Sequence, residues 1–130
     1  MIKEGYTSNE RIKEESDFLR GNISNLLHDD SITHFPSEEE FLLKFHGITQ
    51  QDNRDERLIR KKNGQGRNWL FMLRLRLPGG RITPSQWLAA ETLSDQFGNG
   101  TLKLTTRQAI QIHGVVKQDL KQTMKDIHHA

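Results

Sequence analysis

The sequence predicts an α+β fold in which a regular C-terminal half follows a looser N-terminal one. Three observations carry that expectation. Residues Trp69 to Leu77 (WLFMLRLRL) alternate with the two-residue period of a strand. Thr83-Pro84-Ser85-Gln86 opens a helix, with Thr83 as N-cap, Pro84 at the first helical position and Gln86 closing a capping box. Hydrophobic residues make up only 33% of the chain, and ten glycines do not restore the usual apolar share of a globular domain. Much of the first half is therefore expected to be solvated or to pack against further protein.

Ser8 to Arg20 (SNERIKEESDFLR) has a helical pattern, with Ser8 as N-cap and Gly21 as its stop. Its apolar content is thin: Ile12, Phe18 and Leu19. A polar, turn-rich stretch around Asp29, Asp30 and Pro36 follows. Phe41 to Phe45 (FLLKF) predicts a short strand running into His46-Gly47 and the polar ITQQDNRDER. From Asp55 to Arg67 charge and glycine dominate, which predicts a linker or exposed loop.

The strand from Trp69 ends at Pro78-Gly79-Gly80. The helix from Pro84 carries Trp87, Ala90, Leu93 and Phe97 and stops at Gly98-Asn99-Gly100. Leu102 to Thr105 and Arg107 to His113 predict two more strands, and Lys117 to His128 a final helix with Leu120, Met124 and Ile127 on one face. The order is strand, helix, strand, strand, helix: a ferredoxin-like βαββαβ unit without its last strand. The expected division is an N-terminal arm and linker over 1–67 and an incomplete βαββα half-domain over 68–130.

At 130 residues there is room for one domain and an arm. Nineteen basic residues against seventeen acidic ones leave a net charge of +2, too even for a polyelectrolyte argument despite a pI near 9. The chain has no cysteine, which excludes a disulfide scaffold, a thiol nucleophile and any iron–sulfur ligand from these residues. No apolar run approaches the roughly 18 residues of a membrane span, and the start has no signal-peptide core. A cytoplasmic protein without membrane partners is the default expectation. His128-His129 lacks spaced partners for a metal, so no metal ligand is assigned. His34 is expected to face solvent.

Side chains of a strand alternate between faces. Phe71, Leu73, Leu75 and Leu77 then share a core face with Leu102, Leu104, Ile110 and Ile112. The opposite face carries Arg74, Arg76, Lys103, Arg107, Gln111 and His113. Such a cluster is either a solvated face, as antiparallel sheets often show, or a platform for carboxylates and small oxyanions. An RNA-binding module shares the open basic sheet but needs aromatics on it for base stacking, and none lies there. No nucleic-acid partner is expected.

Four segments narrow the choice: Phe45-His46-Gly47 through Gln50-Gln51-Asp52-Asn53-Arg54-Asp55, Leu73-Arg74-Leu75-Arg76-Leu77-Pro78-Gly79-Gly80, Leu102-Lys103-Leu104-Thr105-Thr106-Arg107-Gln108, and Gln111-Ile112-His113-Gly114. In this order they resemble the N-terminal part of the sirohaem-containing sulfite and nitrite reductases, and are most similar to the sulfite reductase haemoproteins. Ser16 to Gly21 (SDFLRG) joins the resemblance. It implies six-electron reduction of sulfite to sulfide at a sirohaem coupled to a [4Fe–4S] cluster, with nitrite reduction as the alternative. It implies that Arg74 contacts the substrate anion, and that Arg107, Gln111 and His113, with Arg76 and Lys103, approach the sirohaem carboxylates. Partners implied are the remainder of the reductase chain and an electron donor, either ferredoxin or an NADPH-dependent flavoprotein. Thr49, where an aromatic is common, and Asn63-Gly64-Gln65-Gly66 depart from the pattern. The cluster cysteines and second half-domain are missing, so the isolated chain is expected to be inactive and to hold neither cofactor stably.

Trp69 and Trp87 are expected to pack rather than to present ligand platforms. His46, beside Gly47, is open between a structural role and contact with the cofactor side.

Overall fold

The computed structural model describes residues 5–130. Its elements are α1 (Ser8–Glu15), α2 (Ile23–Leu27), α3 (Ser37–Leu43), β1 (Ile48–Asp52), α4 (Arg54–Lys62), β2 (Trp69–Leu75), α5 (Pro84–Phe97), β3 (Leu102–Leu104), β4 (Ile110–Val115) and α6 (Leu120–His129). The four strands form one antiparallel sheet in the order β1-β2-β4-β3.

The C-terminal half follows the pattern expected of it. The Thr83 side chain accepts from the Gln86 N–H while Gln86 returns the bond to the Thr83 backbone, and α5 ends before Gly98. Phe71, Leu73, Ile112 and Val115 are buried together with Leu93 of α5 and Leu120 of α6. Leu104, expected among them, is 72% exposed at the end of the three-residue edge strand β3, whereas Leu102 packs against the core. Trp87 is also exposed, at 38%, on the outer side of α5.

The N-terminal half departs from expectation in several places. Thr7, not Ser8, caps α1, in a capping box with Glu10. That helix stops at Glu15 because Asp17, Phe18 and Leu19 take left-handed φ values of 49, 56 and 66°. The Ser16 hydroxyl, which accepts from the Leu19 N–H at 3.0 Å and donates to the Lys13 carbonyl at 2.6 Å, holds this turn. Phe41 to Phe45 is not a strand. It is the end of α3 and a single tight turn of Lys44–His46, closed by Gly47 at φ 78°. Leu42 and Leu43 are buried neighbours, which a strand would have sent to opposite faces. Finally, the expected linker contains α4, capped by the Asn53 side chain on the N–H groups of Asp55 and Glu56.

The polar ITQQD stretch is strand β1, and it binds the two halves into one sheet. Ile48, Gln50 and Asp52 lie opposite Leu73, Phe71 and Trp69. In a ferredoxin-like sheet this edge belongs to the closing strand of the βαββαβ unit. Here the edge is filled by a strand that precedes the unit. Phe35 is packed edge-on to Phe71 at 5.7 Å, and the buried Gln50 amide makes both hydrogen bonds to the Phe35 backbone, at 2.6 and 3.1 Å. Lys117 is 1% exposed, donates to the Asp29 carbonyl at 2.6 Å and lies 5.8 Å from the Phe35 ring centroid. These contacts replace the apolar periodicity that the first half lacks.

Candidate anion-binding face

α5 and α6 cover one side of the sheet. On the other, Arg74 of β2 lies directly opposite Gln111 of β4, which lies opposite Lys103 of β3. The three side chains thus form a row across three strands, because directly paired residues share a face. Arg74 is placed from both sides: its N–H donates to the Gly47 carbonyl at 2.8 Å, and β4 pairs on the opposite edge. A side chain at Gly47 would bring its Cβ to 3.1 Å from the Arg74 carbonyl oxygen, so this approach requires glycine.

Between Leu73 and Phe71 the pairing with β4 shifts from Ile112 to Val115, which marks a bulge. Gly114, at φ 82°, absorbs it. The extra residue returns Val115 to the core and leaves His113 on the side of Gln111, with Nε2 donating to Gln111 Oε1 at 3.0 Å. Burial first, and the neighbouring Lys103 charge second, push the His113 imidazole below its ordinary value of 6.5. It is neutral near pH 7.

Arg107 is not on a strand as expected. The Gln108 N–H bonds the Thr105 carbonyl, the Thr105 N–H bonds the Ala109 carbonyl, and Gln108 takes φ 57°, so residues 105–109 form a tight hairpin turn. This turn carries Arg107 to the end of the sheet. There Arg74, Arg76 and Arg107 line a cleft of about 460 Å³ together with Lys44 and His46. Lys103 and His113 line a second recess of about 420 Å³ with Gln51, Asp52, Arg54 and Arg57.

Lys44 of FLLKF, expected within a strand, is instead brought to the cleft by the tight turn that follows α3. Pro36-Ser37 followed by three glutamates is a helix start, and Gly47 a helix stop, so the signal was present. His46 Nε2 donates to the Leu19 carbonyl at 2.8 Å while the ring borders the cleft. Trp69 packs, stacked at 4.7 Å between ring centroids on His34, which is exposed as expected.

The charge inventory decides what such a face can hold. Arg74, Arg76, Lys103 and Arg107 make no ion pair among the described residues, whereas Arg57 is forked onto Asp52. Cations left without carboxylates, on rigid strands and a tight turn, suit an incoming anion. No group of three or more metal-ligating side chains occurs among the described residues.

Residues 62–130 match the model of the nitrite/sulfite reductase ferredoxin-like half domain. The chain belongs to that family. Over 121 residues, 93% of its length, it is 55% identical to the sulfite reductase [NADPH] subunit beta of Saccharomyces cerevisiae and covers 8% of that protein. It is 48% and 47% identical to the sulfite reductase [NADPH] hemoprotein beta-components of Staphylococcus epidermidis and Bacillus subtilis, covering 21% of each. The structure of the Mycobacterium tuberculosis NirA protein superposes with a TM-score of 0.72 and 15% identity, over 95% of this chain and 24% of that one. The chain therefore has the family's half-domain fold and spans a small part of its relatives' length. No helix among its described residues is long and apolar enough to cross a membrane.

Proposed function

We propose that this chain forms the anion-binding wall of a sulfite reductase, which reduces sulfite to sulfide with six electrons. The observation that carries the reading is the set of unpaired cations at one end of the sheet: Arg74, Arg76 and Arg107 around a single cleft. The relatives' printed names supply the substrate and the reductant, NADPH.

Within this reading Arg74 holds sulfite through a charge-assisted, forked pair of hydrogen bonds, and Arg76 and Arg107 keep the surrounding field positive. Lys103, Gln111, His113 and Arg107 face the carboxylates of a sirohaem. The donor set fits that group, since it offers charges and N–H donors but no thiolate. Sirohaem, coupled to a [4Fe–4S] cluster, would supply the electrons when bound, with the cluster thiolates coming from the longer protein, because this chain has no cysteine. His113, neutral and donating to Gln111, adds a proton-bearing group that a bound carboxylate would draw back toward its charged form. The isolated chain is inactive in this reading.

Arg74→Ala, in a full-length enzyme carrying this sequence, is expected to weaken sulfite binding and turnover by about 2–4 kcal/mol, as removal of an oxyanion donor does elsewhere. Sirohaem occupancy, read from its absorbance, should stay near wild type. Arg74→Lys should recover only part of the loss, because an ammonium cannot reproduce the fork. Loss of sirohaem with normal kinetics in the loaded fraction would remove Arg74 from the substrate site.

A further inference from the structure

The last paired residues of β2 and β4 are Leu75 and Ile110, and past them the ladder no longer fixes the two segments against each other. Arg76 and Arg107 both lie beyond that pair, and with Arg74 they line one cleft. These three guanidinium groups make no ion pair among the described residues and repel one another. A loose turn would therefore carry Arg107 away from the other two. The turn that bears it is exposed at Thr106, Arg107 and Gln108, and it leads on from the three-residue edge strand β3. Segments of this kind fray first.

A side-chain contact bridges the gap. β2 runs into the turn Pro78–Gly80, stiffened by the fixed φ of Pro78 and closed by the Gly80 N–H, which donates to the Leu77 carbonyl at 2.9 Å. Gly80 has φ 69°, and a Cβ placed on it would lie 2.8 Å from Gln108 Oε1 and 3.0 Å from Gln108 Cβ. The Gln108 side chain thus occupies the space that a side chain at 80 would fill. On the hairpin side, the Gln108 N–H donates to the Thr105 carbonyl at 3.1 Å, and the Thr105 hydroxyl accepts from the Ala109 N–H at 3.2 Å. Gln108 itself has φ 57°, a left-handed conformation that is unfavourable for glutamine and easy for glycine. The chain places a glutamine where glycine would be less strained, and that side chain rests on the turn that continues β2.

We propose that Gln108 is a positioning residue for Arg107. Seated on Gly80, its side chain braces the 105–109 turn against the end of β2. The brace sets the spacing of Arg107 from Arg74 and Arg76, and with it the cleft's affinity for a small oxyanion. The inference rests on the sulfite reductase reading, and its test separates the two. Gln108→Gly accepts the left-handed backbone but deletes the brace. In this chain, isotope-labelled, the heteronuclear NOE of the Arg107 Nε–H should fall, while the denaturation midpoint holds or rises because strain is relieved. In a full-length enzyme carrying this sequence, KM for sulfite should rise about threefold to tenfold with kcat nearly unchanged. That is the effect of weakening a hydrogen-bonded contact made equally in ground and transition states. Gly80→Ala completes a double-mutant cycle. Its backbone strain is the same in either background, but its methyl strikes the brace only when Gln108 is present. It should therefore raise KM in the wild-type background and add less than about twofold to Gln108→Gly. An Arg107 NOE unchanged by Gln108→Gly, an unchanged KM, a KM that rises only together with a fall in the denaturation midpoint, or equal effects of Gly80→Ala in both backgrounds would overturn the positioning role. If the wild-type enzyme does not reduce sulfite with reduced methyl viologen, the underlying reading fails instead, and the Arg107 NOE still reports on the brace.

Discussion

Residues 5–67 and 68–130 contribute to the same sheet, yet they are specified in different ways. In the second half each element announces itself: alternation in β2, a capping box and proline at the start of α5, an apolar stripe in α6. In the first half α3 and β1 lack strong periodicity, and the strand between α3 and α4 is ITQQD. What holds that half is contact with the other one. Phe35, Leu43 and Ile48 enter the core beside Phe71, Gln50 closes on the Phe35 backbone, and Lys117 reaches across to the Asp29 carbonyl. A segment with few apolar residues can be well ordered when several of them enter a neighbour's core.

Phe35→Ala puts that comparison under the greatest load. Removing a fully buried ring against Phe71 should cost about 3–5 kcal/mol, measured by denaturant titration. Because the halves share one sheet, the loss should appear in a single cooperative transition. Retained hydrogen-exchange protection in β2 and β4 while β1 and α3 exchange freely would show that the second half folds alone.

Gln50→Leu is a smaller and sharper perturbation. It conserves bulk but strands both the N–H and the carbonyl of Phe35, at a cost of about 1–3 kcal/mol. An unchanged denaturation midpoint would mean that the apolar contacts alone secure the first half.

His113 should show the gentlest effect. Its folded-state pKa is depressed by burial and Lys103, so its contribution to stability is complete above the ordinary value of 6.5. Below that value the unfolded chain takes up the proton first, and stability declines until the folded imidazole titrates too. The ring resonances of His113 should therefore titrate at lower pH than those of a histidine at its ordinary value. Binding of a carboxylate-bearing ligand at the face should move the midpoint upward.

Legibility followed the physics of each signal. The open face was readable because strand alternation is local: Arg74, Lys103 and Gln111 fall in one row once β2, β3 and β4 are paired. The position of Arg107 was not, since residues 105–109 continue the strand pattern in sequence and only their hydrogen bonds turn them into a hairpin loop. Leu42-Leu43 misled for a related reason. A short apolar run suits a strand or a buried helix end equally, and the choice rests on what lies above it.

The amino-acid sequence by itself determined the α+β class, the capping and length of α5, the alternation that puts cations opposite the core, and the absence of any thiolate ligand. These depend on neighbours within a few residues, or on composition. Tertiary structure decided that β1 fills the edge where a closing strand would lie, that Lys44 and His46 join Arg74 at one cleft, and that Leu58 and Ile59 are left outside. Each of those outcomes is set by competition among distant segments for the same sheet edge and the same buried surface, which no local pattern encodes.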